Sequence, residues 1–361
     1  MNYKIKNISF ALSTACSANC IFCPPHRGDS NPVNMSFKVA KRVLDKLSSK
    51  AIINKFQYIG IGFGALGDDL LNPHFLDILR YRKEVLPKNP SCFFTNFKNL
   101  SSEIAEIIIS EQLLDGIVCN IDGASNRTYY AVKRLDFEKV ILNLTQFIKL
   151  RDSFNSNITI NINALTLNNY ITTIKNNFGE YPLKLNNKSL IQIEDDFEDI
   201  QNLLFPIINP NLDSFRRSGV RGWAERGLMK KKKIKLNYKN YICPYFNDII
   251  STIYVAPNGN WYACCLDTKF NLIIGDLTKE SILDLYKSSK RKRLIRKLNL
   301  KQFGEIGPPC NSVNFCQVYY KNKFQTFLVN LSRQNEIINH MKNILLSSSS
   351  IRNIRSKIMD R

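Results

Sequence analysis

The chain has 361 residues and carries 51 lysines and arginines against 30 aspartates and glutamates, a formal charge of +21, with length enough for one large domain plus a smaller one. No stretch approaches the roughly 18 uninterrupted apolar residues of a membrane span, and the opening MNYKIKNISF lacks the apolar core of a signal peptide, which argues against insertion or export and for a cytoplasmic location. The positive excess is scattered through a Lys-, Asn- and Ile-rich composition, so nucleic acid is not the expected partner, and ten cysteines without an export signal are expected as thiols for metal or redox chemistry rather than as disulfides.

In chain order, short β-rich runs alternate with segments of helical period. Strands are predicted at 8–13, 56–63, 91–96, 116–122, 158–163 and 189–194. Between them lie a helix at 37–47 with Val39, Ala40, Val43, Leu44 and Leu47 on one face, helices at 74–85 and 101–110, and one striped by Phe137, Val140, Ile141, Leu144, Phe147 and Ile148. Parallel strands joined by crossover helices give an α/β fold class, a partial (β/α)6 TIM-like barrel over residues 1–200, with its chemistry at the carboxyl ends of the strands. Residues 201–241, including the basic FRRSGVRGWAERGLMKKKKIK, read as a linker or lid. Residues 242–330 read as a small C-terminal α+β domain in which TIYVAPNGNWYAC (252–264) turns at Pro257-Asn258-Gly259. A helix at 280–298 would pack Ile282, Leu285, Tyr286, Leu294, Ile295 and Leu298 and leave Lys290, Arg291, Lys292, Arg293, Arg296 and Lys297 mostly in water. Residues 331–361 read as a polar helical tail.

Just past the first strand, ACSANCIFCPP places Cys16, Cys20 and Cys23 in a C-x3-C-x2-C array. Soft thiolates select zinc or an iron-sulfur cluster, and three of them leave one iron of a cubane open, whereas a structural zinc needs four ligands. His26 is the candidate fourth ligand on the zinc reading. Cys92 and Cys119, inside predicted strands, read as core residues.

The array, with Phe22 before its last cysteine, resembles the radical S-adenosylmethionine (radical SAM) superfamily. GALGDDLLNP (64–73) is similar to that family's GGEP segment, FFTNFKNL (93–100) to its TNG strand end, and NIDGASNRTYYAVKRLDFEKVI (120–141) to its S-x-DG stretch. The resemblance covers about residues 8–165 and implies a [4Fe-4S] cluster on Cys16, Cys20 and Cys23, with S-adenosylmethionine on the open iron. It implies cofactor contacts from Phe22, Gly67, Asp68, Asn96, Asn120, Asp122 and either Lys133 or Arg134. Asp68 stands where the family has glutamate, Asn120 where it has serine, and Lys133 where it has arginine. Without the resemblance, Asp68 and Asp69 would read as a solvated turn and Asn120 as a helix cap.

Cys243, Gly259 and Cys264 match the C-x(9–15)-G-x4-C opening of the SPASM or twitch extension, which Cys310 and Cys316 would close. The resemblance implies one auxiliary [4Fe-4S] cluster, with Cys265 a rival to Cys264 as ligand; a zinc knuckle on the same residues is the plain alternative. The implied activity is reductive cleavage of S-adenosylmethionine and hydrogen abstraction from a small-molecule or peptide substrate, fed by a reductant such as flavodoxin or ferredoxin. An oxidoreductase acting on a sugar or aminocyclitol hydroxyl is the leading expectation. A maturase of ribosomally made peptides, needing a separate recognition protein, is second, and a zinc-stabilised nucleic-acid-binding protein last.

Overall fold

The computed structural model describes residues 3–20, 23, 32–166, 197–219, 241–243, 245–311 and 318–319. Six strands, β1 (Asn7–Phe10), β2 (Gly60–Phe63), β3 (Ser91–Thr95), β4 (Gly116–Asn120), β5 (Thr159–Thr166) and β6 (Ser214–Gly219), pair in sequence order and all in parallel. This is the open, partial barrel expected from the sequence. Alternate strand residues, among them Ile8, Phe10, Ile61, Phe63, Phe93, Ile117, Ile160 and Ile162, are buried in the main core with the helices. The other face of the sheet lines the lumen.

The crossover helices Phe37–Leu47, Phe75–Val85, Ser102–Ser110 and Phe137–Ser153 fall where the apolar period places them. Ser36, Ser101 and Asp136 cap three of them by accepting from backbone amides two or three residues on. A short helix, Lys50–Phe56, occupies the start of the predicted second strand. The strand that pairs with β5 on its far side was not expected from the sequence. It is Ser214–Gly219, at the head of the supposed linker, preceded by the helix Phe197–Leu204; the run 189–194 lies outside the described residues. A bidentate pair buried on both sides, Arg151 to Asp213 at 2.5 and 3.0 Å, fixes the entrance to β6, and Asp213 also accepts from the Ile160 and Asn209 amides.

Strands β7 (Tyr241–Ile242) and β11 (Val318–Tyr319) form a small separate pair. The rest of the C-terminal half extends the barrel sheet. Strand β8 (Thr252–Val255) runs parallel to β1 through four register pairs, and β9 (Asn260–Tyr262) and β10 (Ile273–Asp276) continue it antiparallel, giving the order β10-β9-β8-β1-β2-β3-β4-β5-β6. Gly259, at φ +86, makes the β8–β9 turn, and a Cβ there would stand 2.3 Å from Thr278. The helix expected at 280–298 is two, Ile282–Lys287 and Ser289–Asn299, broken at Ser288, whose hydroxyl caps the second. Arg291 is not in water: it is 5% exposed, donates to the Ile250 and Tyr286 carbonyls and lies over the Tyr286 ring. Among the described residues no helix is long and apolar enough to cross a membrane.

Candidate active site

The loop carrying the first cysteines is pinned at its base. Met35 donates to the Leu12 carbonyl at 2.7 Å, Thr14 to Val33 at 3.0 Å, and the Val33 amide to the Thr14 hydroxyl at 2.8 Å. The Asn72 carboxamide bridges both sides, donating to the Leu12 and Met35 carbonyls at 2.7 and 2.9 Å. Between these ties Cys20 is buried and Cys16 and Cys23 are half-buried, with the Cys23 amide turned onto the Cys20 carbonyl at 3.2 Å. Phe22 and His26 lie outside the described residues. No disulfide joins the described cysteines.

The segment after β2 closes over this loop. Gly67 and Asp68 donate their amides to the Ser13 and Ala15 carbonyls at 3.2 and 2.7 Å. A Cβ on Gly67 would stand 2.3 Å from the Ala15 oxygen and 2.4 Å from that of Ser13, so only glycine permits the approach. Asp68 and Asp69 are buried rather than solvated. The Asp68 Oδ2 accepts from Asn99 at 2.6 Å and Ser17 at 3.2 Å, while its Oδ1 is buried without a hydrogen-bond partner. Burial pushes this carboxyl above its ordinary pKa, against the pull of Asn99. Asp69 faces the backbone: its carboxylate accepts from the Leu12, Ser13 and Gly64 amides at 2.9, 3.1 and 2.5 Å and so joins the ends of β1 and β2. Burial pushes it up to about 8 against those three amides.

At the end of β3, Asn96 lies 3.5 Å from the Ser17 hydroxyl. The next position, glycine in the family motif, is Phe97 at φ 61. This left-handed backbone is held by packing of the buried ring on Phe147 and by Asn143, which donates to the Phe97 and Lys98 carbonyls at 2.7 and 3.1 Å. Asn120, half-buried, ends β4. Beyond it Gly123 lies so close to the helix Asn126–Lys133 that a Cβ would reach the Tyr129 amide at 2.5 Å. The helix places Lys133 in a buried ion pair with Asp122 at 2.7 Å, and its carbonyl accepts from Asn19 in the cysteine loop at 2.8 Å. Burial alone would lower the lysine pKa; Asp122 and the Cys20 sulfur reverse that and raise it. Arg134, by contrast, is exposed at the left-handed helix end, its guanidinium 5.6 Å from the exposed Tyr130 ring. Of the two basic candidates the structure therefore brings Lys133 to the cysteine loop and turns Arg134 outward.

In the second set Cys243, Cys264 and Cys310 are buried in one small apolar cluster with Phe246, Ile249, Leu298 and Phe303. Cys265 packs at its edge and also against Tyr254 and Tyr262. Cys316 lies outside the described residues. Asp267 shapes the turn after β9, its carboxylate accepting from the Asn271 and Leu272 amides at 2.9 and 2.6 Å. Burial pushes the Cys310 thiol up, and the Cys265 contact followed by burial does so for Cys264. A bound cation would reverse both shifts.

Among the described residues no three His, Cys, Asp or Glu side chains are already gathered as around a metal ion. The donor chemistry nonetheless fits iron-sulfur ligation: three soft sulfurs on one pinned loop, three more in an apolar cluster, and next to the first set an orphaned carboxylate oxygen and a buried cation. Ser17, Asn99, Asn72 and Asn143 escaped the sequence reading.

Residues 243–316 match the SPASM family model, an iron-sulfur cluster-binding domain. No curated protein matches the chain. Among solved structures, anSMEcpe with bound AdoMet is similar at 12% identity and TM-score 0.52, covering 81% of this chain and 80% of that one. SuiB of Streptococcus suis bound to precursor peptide SuiA is similar at 15% identity and TM-score 0.50, covering 81% and 67%. BtrN in complex with AdoMet and 2-DOIA aligns at 13% identity and TM-score 0.47, over 84% and 91%.

Proposed function

We propose that this chain, which has the partial-barrel fold of radical SAM enzymes and carries a SPASM domain, reductively cleaves S-adenosylmethionine and abstracts hydrogen from a substrate carbon. The observation that carries the reading is the docking of the Cys16–Cys20–Cys23 loop, through Ser17 and Asn19, onto Asp68 and Lys133. Cys16, Cys20 and Cys23 would hold the [4Fe-4S] cluster, and Cys243, Cys264, Cys310 and Cys316 the auxiliary one. When bound, cluster and cosubstrate supply a 5'-deoxyadenosyl radical, chemistry beyond any side chain.

The protein's own residues bind and orient. Asp68, with one oxygen already fixed by Asn99 and Ser17, offers the buried Oδ1 to the methionyl ammonium. Lys133 offers its charge to the methionyl carboxylate while Asp122 keeps it in place. Gly67, Asn96 and Asn120 border the same cleft, Asn120 facing the ribose. The reaction assigned is oxidation of a hydroxyl-bearing carbon; the auxiliary cluster that Cys243, Cys264, Cys310 and Cys316 would hold would supply an electron acceptor for the substrate, and a flavodoxin or ferredoxin would supply the electron for S-adenosylmethionine cleavage.

The test is anaerobic purification and reconstitution. Two cubane clusters correspond to about eight irons with matching sulfide, and dithionite with S-adenosylmethionine should yield 5'-deoxyadenosine. Cys20→Ala should lose that product. Product formation unchanged in Cys20→Ala, or zinc in place of iron, would refute the assignment.

A further inference from the structure

The lumen face of β4, β5 and β6 is polar where parallel strands are ordinarily apolar on both sides. Strand β5 alternates Ile160, Ile162 and Ala164, all fully buried, with Asn161 and Asn163, both half-buried. The register sets Asn120 beside Asn163 and Asn163 beside Arg216, and below them Val118 beside Asn161 and Asn161 beside Ser214. The Ser214 hydroxyl and Asn161 carboxamide bond each other at 2.6 Å. Arg216 is exposed on the lumen side, because its neighbours in β6 alternate with it. No ion pair engages it among the described residues.

Three groups thus stand in one row, a carboxamide, a carboxamide and a guanidinium, spaced by the strand separation of about 4.8 Å. Each carboxamide both donates and accepts, which matches vicinal hydroxyls, and the guanidinium fork matches a carboxylate or phosphate. The core does not call for these side chains, since the opposite face of the same strands supplies the apolar packing. Among the described side chains on this face of β3, β4 and β5, Phe94 and Val118 are the apolar ones.

We propose that Asn163 and Arg216, next in the row beyond the ribose-facing Asn120, select a hydroxyl-rich small molecule bearing one anionic group, a sugar acid or a sugar phosphate. The assignment rests on the function proposed above and narrows its substrate, with Arg216 as the specificity-determining residue at the anionic end.

The test is equilibrium binding to the anaerobically reconstituted, S-adenosylmethionine-loaded protein, with glucuronate, glucose 6-phosphate and glucose as probes and an acidic hexapeptide as competitor class. An acidic sugar should bind at millimolar or tighter affinity and more tightly than glucose. Arg216→Gln should weaken it by about tenfold or more while Arg216→Lys retains part of it. The acidic probes separate a carboxylate from a phosphate preference. Equal binding of acidic and neutral sugars, no binding of either acidic sugar, preference for the peptide, or a loss of S-adenosylmethionine affinity in Arg216→Gln in place of a loss of sugar would each overturn the proposal. Substrate-free formation of 5'-deoxyadenosine by the wild-type protein, measured in parallel, reports on the function alone and keeps the two failures apart.

Discussion

Removing the Asp69 carboxylate should unlock the ends of β1 and β2. In Asp69→Ala the Leu12, Ser13 and Gly64 amides lose their acceptor in a site with no exposure. Each buried unsatisfied amide costs about 1–3 kcal/mol, and partial relaxation brings the sum to about 3–5 kcal/mol. For a chain of 361 residues that corresponds to a melting temperature lower by about 4–7 °C. Asp69→Asn keeps one oxygen and sets an amide donor against a backbone donor, a loss of about 1–3 kcal/mol. The carboxyl is also raised in the folded state, to about 8. The native protein therefore holds a proton that the unfolded chain, titrating near 3.9, has released. The stability this contributes is complete below the unfolded value and is lost as pH rises through about 8, with a slope of at most about 1.4 kcal/mol per pH unit. Anaerobic melting at matched iron content, from pH 5.5 to 8.5, checks both statements. The wild-type melting temperature should fall with pH relative to Asp69→Asn, whose amide does not titrate. A melting temperature of Asp69→Ala within about 2 °C of wild type would refute the bridging role, and parallel pH profiles would refute the raised carboxyl.

Gly67→Ala should lower iron retention by the first cysteine set, since its methyl would meet the Ala15 and Ser13 carbonyls at 2.3 and 2.4 Å; iron content at unchanged auxiliary-domain loading checks this. Arg151→Met should destabilise by about 3–5 kcal/mol because it strands Asp213, whereas the double variant Arg151→Met, Asp213→Leu should recover much of that loss, as read by thermal melts of single and double variants. Cys264→Ser should lose auxiliary iron and Cys265→Ser should keep it, because Cys264 shares the buried cluster with Cys243 and Cys310 while Cys265 sits at its edge; iron counting on both variants decides it.

Strands β1 to β5 and their helices could be read from the chain because their apolar faces repeat locally, at two residues or at three to four. Strand β6 could not. SFRRSG has polar Ser214 and Arg216 turned to the lumen, and its apolar support, such as Phe205 against Phe215, comes from the turn that follows a separate helix. The bridging role of Asp69 was hidden for a related reason, since its partners at Leu12 and Ser13 lie 57 and 56 positions away. Arg291 is buried by a carbonyl 41 positions distant, a contact helical periodicity cannot foretell. The first cysteine set stood out in the chain because Cys16, Cys20 and Cys23 lie within one short loop. What Asp68 and Lys133 contact required the fold, which sets Ser17, Asn19 and Asn99 around them.

The ladder between β1 and β8 also bears on how far the two halves can part. Rocking the C-terminal half away from the barrel, as a hinged jaw would, means tearing a row of four parallel register pairs in the middle of a nine-stranded sheet. The two halves are thus tied through the sheet itself, and on the proposed function substrate would enter and leave past loops at the rim.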